Sequence, residues 1–291
     1  MKIKDFNNCT ENMLTYGGHA GAKLGIIIDG ENWFLKFPKS TRTLRKKVDM
    51  SYSTSPLSEY IGSHIYESIN IPVHKTMLGI RDNKLVVACK DFRNDISKIT
   101  FEDYNSIYNI YVSGLDEKLS SITASSNHTV DLNEIMIIME NNPRFINTKG
   151  LKDRFWDMFI VDALIGNNDR NNGNWGVLIN NDTKKIEIAP VFDNGASFGN
   201  NTDDLKIEKI LSDKEKFENS AYLSRICAFS INDKIINPFK YIESLENDEC
   251  NKALLRIVPK IDLSKIYDII NEIPNEYEGI KVISDIRKKY Y

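Results

Sequence analysis

Cysteine is scarce. Cys9, Cys89, Cys227 and Cys250 stand far apart and never form a CxxC pair, which argues against a disulfide scaffold or zinc ribbon and fits a reducing compartment. Histidine is equally sparse: His19, His64, His74 and His128 lack the spacing of metal ligands, so no zinc site is expected. No apolar run reaches the roughly 18 residues that a membrane-spanning helix requires. Met1 to Thr10 contains no apolar stretch of the kind that marks a secretory signal. An excess of one charge is missing too, since 38 Lys+Arg against 41 Asp+Glu leave a net charge of −3. That balance argues against direct nucleic-acid binding. What the 291 residues do hold is 41% hydrophobic and 10% aromatic side chains, with no internal repeat. A chain of about 300 residues can bury about three quarters of its unfolded surface, which suits one large domain or two lobes. The expected protein is globular and cytoplasmic.

The pattern changes character near residue 92. Before it, Leu24–Ile28 and Trp33–Phe37 are apolar runs joined by Asp29-Gly30-Glu31-Asn32, whose Asp-Gly step is a hairpin signal. Ser55-Pro56 opens a helical segment with Leu57, Tyr60, Ile61, His64 and Ile65 at spacings of three and four, with Ser55 as the expected N-cap. Val73–Ile80 and Lys84–Cys89 then read as a second hairpin around Arg81-Asp82-Asn83. After Phe92 the periodicity predicts helices over Phe101–Tyr111, Asp131–Asn141, Leu151–Ile165, Ile261–Glu272 and Tyr277–Lys289. The strongest, Leu151–Ile165, places Phe155, Met158, Phe159, Asp162 and Ile165 on one face and stops at Gly166. One more hairpin, Trp175–Ile179 with Lys185–Pro190, is expected around Asn180-Asn181-Asp182. Ser, Thr and Asn enrichment predicts loops between Ser40 and Ser55 and between Ser113 and Thr129.

Four places carry chemistry. Gly17-Gly18-His19-Ala20-Gly21-Ala22-Lys23 precedes the first long strand; it is either a plain glycine turn or a loop whose N–H groups face phosphate oxygens. A Walker A loop is excluded, because no Ser/Thr follows Lys23 and a strand, not a helix, comes next. Lys36 lies within Trp33-Phe34-Leu35-Lys36-Phe37-Pro38 and suits either the solvent face of an alternating strand or a charge aimed at phosphates. Glu59 on the following helix is a candidate to orient it, as in the lysine–glutamate pair of protein kinases. Asp169-Arg170-Asn171-Asn172-Gly173-Asn174 can supply a carboxylate for the attacking hydroxyl and an oxygen ligand for Mg²⁺ five residues on; it also suits an ordinary turn. Asp193, in Ala189-Pro190-Val191-Phe192-Asp193-Asn194-Gly195, can hold Mg²⁺ or close an Asx-turn at a strand end. Each part is common, but glycine loop, strand lysine, helix glutamate, D-x4-N loop, hairpin and metal-type Asp appear together in kinase order.

The stretch Phe155-Trp156-Asp157 through Asn167-Asn168-Asp169-Arg170-Asn171-Asn172-Gly173-Asn174-Trp175-Gly176 resembles the catalytic block of HipA-like serine/threonine kinases. Ala189–Asp193 resembles their magnesium motif, Phe34–Pro38 their lysine strand, and Val86-Val87-Ala88-Cys89-Lys90-Asp91-Phe92 their hinge; the likeness spans about residues 16–200. The resemblance implies an α+β, bilobal, protein-kinase-like fold: a small β-rich N-lobe over residues 1–91 and a larger, mainly helical C-lobe over 92–291. It implies ATP and Mg²⁺ as cofactors and phosphate transfer to a protein hydroxyl. Asp169 would be the catalytic base, and Asn174 and Asp193 the metal ligands. Lys36, oriented by Glu59, would contact phosphates beneath Gly18, His19, Ala20, Gly21, Ala22 and Lys23. Cys89, Lys90 and Asp91 would meet adenine, with Asn171 and Phe192 completing the nucleotide site.

Three departures accompany the resemblance. Many members carry His where Asn171 stands, so an imidazole role does not transfer. No Ser lies between Met13 and Lys23, which leaves only Thr15 or Tyr16 for phosphorylation near the glycine loop. The glycine loop is reached by residue 17, so the extra N-terminal subdomain of full-length HipA toxins is expected to be absent, as in the short CtkA-like or HipT-like forms. The protein substrate is not encoded, while an antitoxin or a companion subunit is the partner that the family implies. Two alternatives stand beside this reading. One is phosphorylation of a phosphoinositide or small molecule, although the only dense basic cluster is at Arg42, Arg45, Lys46 and Lys47. The other is an inactive nucleotide-binding interaction module, against which the joint presence of Lys36, Asp169, Asn174 and Asp193 weighs.

Overall fold

The computed structural model describes residues 1–17, 22–44, 46–93, 95–115 and 130–291. The N-terminal part is a six-stranded sheet made of β1 (Lys4–Asp5), β2 (Thr10–Glu11), β3 (Lys23–Ile28), β4 (Glu31–Lys36), β5 (Thr76–Arg81) and β6 (Lys84–Lys90). Their spatial order is β1-β5-β6-β4-β3-β2, and all neighbours are antiparallel except β1 and β5. Two tight turns set the registers. Asp29 and Gly30 have φ of 51° and 79°, and Asp82 and Asn83 have 50° and 57°, the left-handed pairs that Asp, Asn and Gly tolerate in two-residue hairpins. The first turn is therefore tighter than expected, since Glu31 and Asn32 already belong to β4. Ile26, Trp33, Leu35, Val86 and Ala88 pack a small core with Phe6 on one sheet face. Alternation turns Phe34, Lys36, Val87 and Cys89 to the other.

Helix α1 (Ser55–Ser68) covers that second face, packing on β5 and β6 and, from the far end of the chain, on a late helix. Its N-cap is Thr54, one residue earlier than expected, and Pro56 sits in the first turn where a missing N–H costs nothing.

The rest of the chain, among the described residues, runs β7 (Ile99–Asp103), α2 (Tyr104–Leu115), β8 (Val130–Asp131), α3 (Leu132–Asn141), α4 (Pro143–Ile146) and α5 (Leu151–Ile165). Then come β9 (Gly176–Asn180), β10 (Ile186–Ile188), α6 (Asp204–Leu211), α7 (Lys214–Glu218), β11 (Phe229–Ile231), β12 (Lys234–Ile235), α8 (Pro238–Ser244) and α9 (Asp248–Ile257). The last elements are α10 (Leu263–Asn271), which is the helix against α1, then β13 (Glu276–Tyr277), β14 (Ile280–Lys281) and α11 (Asp285–Tyr290). Helix α5 is the spine of this larger lobe. Phe155 meets Phe229 at 5.3 Å, and Trp156 stacks on Tyr241 with ring centroids 6.0 Å apart.

Two helix expectations fail for identifiable reasons. Phe101–Asp103 extend as part of β7, because Phe101 pairs with Leu178 of β9 and its ring joins Phe92 and Phe192; the helix starts only at Tyr104, where Asp103 caps the Ser106 N–H at 2.7 Å. Tyr277–Lys289 begins instead as the β13–β14 hairpin, turned by Glu278 and Gly279 at φ 51° and 79°, and becomes helical only after the Ser284 cap. The loop expected from Ser40 to Ser55 is pinned by a 3-10 turn at Thr41–Thr43 and a Ser40–Tyr52 bridge. Of the second expected loop, Ser113–Leu115 fall in α2 and residues 116–129 lie outside the described residues.

Candidate active site

Lys36 ends β4 on the face that α1 covers, so it is not on a solvent face: it is 8% exposed. Its Nζ lies 2.7 Å from Glu59 Oε2 and 2.9 Å from Asp193 Oδ1. Burial opposes the ammonium, but the two carboxylates outweigh it and hold Lys36 well above the ordinary lysine range. Burial likewise opposes the Glu59 charge, yet Lys36 and then His74 hold this carboxyl well below the usual range. Glu59 is thus a carboxylate whose second oxygen, Oε1, accepts from His74 Nε2 at 2.8 Å and from the Asn194 N–H at 3.0 Å. Donor atoms of Glu59, His74 and Cys89 lie within 4.8 Å of one another. Burial pushes the Cys89 thiol well up, so it stays protonated, and Lys36 already occupies Glu59. Glu59 therefore uses both oxygens on Lys36, His74 and the Asn194 N–H, with the Cys89 thiol packed beside them.

The loop after α5 is built by its own side chains. Gly166 ends the helix in the left-handed region at φ 65°, and Asn167 Oδ1 accepts the Asp169 N–H at 3.1 Å. Asn171 donates from Nδ2 to Asp169 Oδ1 at 2.8 Å, and its Oδ1 accepts the Gly173 N–H at 2.9 Å. Asn174 Nδ2 donates to the Asp169 carbonyl at 2.6 Å, and among the described residues no hydrogen bond takes up its Oδ1. Burial lifts the Asp169 carboxyl above its ordinary value; the Asn171 hydrogen bond opposes this and the charge of Asp193 adds to it.

Arg170 joins this loop to the next. It is 1% exposed and donates to both Asp162 oxygens, at 2.8 and 3.0 Å, to Asn194 Oδ1 at 2.6 Å, to the Asn174 carbonyl at 3.1 Å and to the Phe192 carbonyl. Asp193 follows in the left-handed region at φ 58°, where Asp is tolerated. Burial works against its charge, but Lys36 keeps its carboxyl below the ordinary range.

Lys36, Asp169, Asn171, Asn174 and Asp193 line one cleft of about 440 Å³ between the lobes. One end is aromatic: Tyr16 stacks on Phe34 at 4.4 Å, and Phe92, Phe101 and Phe192 form a triangle with centroids 5.3–5.5 Å apart. The other end holds Lys23, Lys36, Lys39, Asp169, Asn171, Asn174 and Asp193. An apolar slot that ends in a cation and several oxygen ligands suits a purine attached to phosphates.

The HipA-like C-terminal domain family matches residues 17–241. The chain belongs to that family. It is 35% identical over 292 residues to the serine/threonine-protein kinase CtkA of Helicobacter pylori strain J99, covering all of this chain and 83% of the relative. The crystal structure described as a Helicobacter pylori proinflammatory kinase CtkA superposes with a TM-score of 0.82 at 32% identity, over 99% of this chain and 92% of that one. HipA of Shewanella oneidensis MR-1, solved with HipB and operator DNA, shares the fold at a TM-score of 0.54 and 13% identity, over 98% of this chain and 64% of that one. The chain is a serine/threonine kinase of the HipA-like type with the bilobal α+β fold of these enzymes. A kinase of this kind uses a nucleoside triphosphate and a divalent metal.

Within this HipA-like kinase the candidate residues separate by where they lie. Lys23, Lys36, Asp91, Asp169, Asn171, Asn174, Phe192 and Asp193 line the cleft. Glu59 and Cys89 lie buried behind it, and Ala22 is exposed, its carbonyl accepting the Phe37 N–H at 3.1 Å. Lys90 points away, because its register opposite Trp33 places it on the other sheet face, 2.6 Å from Glu31. Gly18, His19, Ala20 and Gly21 lie outside the described residues. Lys39, Arg93, Phe101 and Asp103 line the cleft without having been singled out by sequence, and Tyr16, named there only as a hydroxyl near the glycine loop, lines it too. Asp162 carried a usable signal, since an aspartate on the apolar face of a helix demands a buried partner.

Proposed function

We propose that this kinase transfers the γ-phosphate of ATP, with Mg²⁺, to a serine or threonine hydroxyl of a protein. The observation that carries the reading is the convergence of Lys36, Asp169, Asn174 and Asp193 on one cleft, with Lys36 already paired to Glu59. The aromatic end takes adenine, and Lys36 anchors the phosphates. Lys23, on the same cleft, adds a second cation for those phosphates. The Asp193 carboxylate and the Asn174 amide oxygen are hard oxygen donors that fit Mg²⁺, which when bound neutralises phosphate charge. Asp169 orients the incoming hydroxyl and accepts its proton, a role that its raised proton affinity supports. Asn171 holds one Asp169 oxygen and leaves the other for substrate. The lobes divide between residues 91 and 92. A toxin role and an antitoxin or companion partner follow from family membership, and a cytoplasmic location from the four scattered cysteines. Among the described residues no helix is long and apolar enough to cross a membrane.

The test is incubation with γ-labelled ATP, Mg²⁺ and cell lysate, with labelled proteins identified by mass spectrometry. Asp169→Asn is expected to lower transfer by about 10²- to 10⁴-fold while still binding ATP. Asp193→Asn is expected to lose the Mg²⁺ dependence of nucleotide binding. Equal labelling by the parent and Asp169→Asn would overturn the assignment.

A further inference from the structure

His74 has no place in the phosphotransfer chemistry, yet it is 3% exposed and its Nε2 donates to Glu59 Oε1 at 2.8 Å. Its backbone is tied down as well. The His74 N–H bonds to the Val191 carbonyl at 2.9 Å, and the Val191 N–H bonds to the Pro72 carbonyl at 2.8 Å. The imidazole therefore stands on a segment lashed to the loop that carries Asp193.

Lys36 has two carboxylates within reach, Glu59 at 2.7 Å and Asp193 at 2.9 Å. Only one of them is a candidate metal ligand, so the more firmly Glu59 holds Lys36, the freer Asp193 is. Glu59 Oε1 has two donors, His74 and the Asn194 N–H. Without the imidazole a buried carboxylate loses a charge-assisted hydrogen bond and one constraint on its orientation.

We propose that His74 is a positioning residue that keeps Glu59 turned toward Lys36, so that Lys36 does not settle on Asp193 and compete with the metal. This rests on the reading of Lys36 as phosphate anchor and Asp193 as metal ligand. The experiment compares His74→Leu with His74→Gln, whose amide can still donate to Glu59, measuring kcat/KM for ATP and the Mg²⁺ concentration at half-maximal rate. His74→Leu is expected to lose roughly 10- to 100-fold in kcat/KM, as when a group orienting an acting side chain is removed, and to need more Mg²⁺. His74→Gln is expected to recover most of both. A His74→Leu enzyme within about twofold of the parent in both quantities, or Leu and Gln variants equally impaired, would overturn the proposal. Thermal unfolding is recorded on each variant; if His74→Leu does not fold, His74→Ala, which also lacks a donor, takes its place. Lys36→Met separates the two layers. If it keeps full activity, the anchor assignment has failed; if it is inactive while His74→Leu is unaffected, only the role of His74 has.

Discussion

Replacing Arg170 by methionine removes five hydrogen bonds at once from a side chain that is 1% exposed. Methionine has a similar length and fills much of the volume, so the main loss is electrostatic. Asp162, 5% exposed, keeps only the Tyr66 hydroxyl at 2.8 Å and the Asn167 amide at 3.1 Å. Breaking a buried ion pair on one side costs about 3–5 kcal/mol, because the other charge stays behind. For a chain of this size 1 kcal/mol moves Tm by about 2 °C, so Arg170→Met is expected to melt about 6–10 °C lower. Asp162→Asn combined with Arg170→Met should lose clearly less than the sum of the two single variants, since no buried charge then remains. Circular dichroism melts of the three variants and the parent measure this. A fall below about 3 °C for Arg170→Met, with additive single effects, would refute the buried-pair account. Because Arg170 also ties the Asn174 and Phe192 carbonyls together, phosphate transfer should fall well below the parent even far below Tm.

The raised proton affinity of Asp169 places the acid limb of kcat/KM above the roughly 3.9 of a free aspartate. The base is ionised above its folded pKa and lost as pH falls through it, so activity should fade on acidification before an ordinary carboxylate would protonate; a limb at or below that value counts against it. Gly62→Ala tests the approach of α1 to the metal loop, since its Cβ would stand 2.9 Å from Asn194 Cβ and 3.4 Å from Ile165 Cδ1. Helix propensity gains up to about 1 kcal/mol, which offsets part of the crowding. Tm should thus change little while kcat falls, and an active enzyme with normal ATP binding would show that α1 can shift freely.

How much of this was legible in sequence depends on where each residue's partners lie along the chain. Helix α5 came out at its observed bounds because its periodicity and the Gly166 stop are both local. The hairpins were found in place but with shifted strand ends, because Asp29-Gly30 and Asp82-Asn83 set the turns while cross-strand pairing sets the ends. The polar end of the cleft was readable because Lys36, Asp169, Asn174 and Asp193 each end or follow a regular element. Phe101 misled, because its strand partner Leu178 lies far along the chain. His74 looked idle for the same reason: its meaning rests on Glu59, fifteen residues earlier, and on Val191, far later. The hinge was named as one run, Cys89 to Asp91, and the direction of the Lys90 side chain was not legible in it, since strand alternation sends neighbouring side chains to opposite faces. Helices α6 to α9 were not individually anticipated, as they are short and largely polar; each starts at a local cap, Asp203, Asp213, Asn237 or Asn247, and α9 is held by packing Cys250, Ala253 and Ile257 in the core beside α5.

The most direct measurement is a crystal structure of the full chain with Mg²⁺ and a non-hydrolysable ATP analogue. The account predicts adenine between the Phe34 and Phe192 sides of the cleft and Lys36 Nζ within hydrogen-bond distance of a phosphate. It also predicts Asp193 and Asn174 Oδ1 on a metal at about 2.0–2.1 Å. Nucleotide bound elsewhere, or in this cleft with the metal held by neither residue, would contradict it.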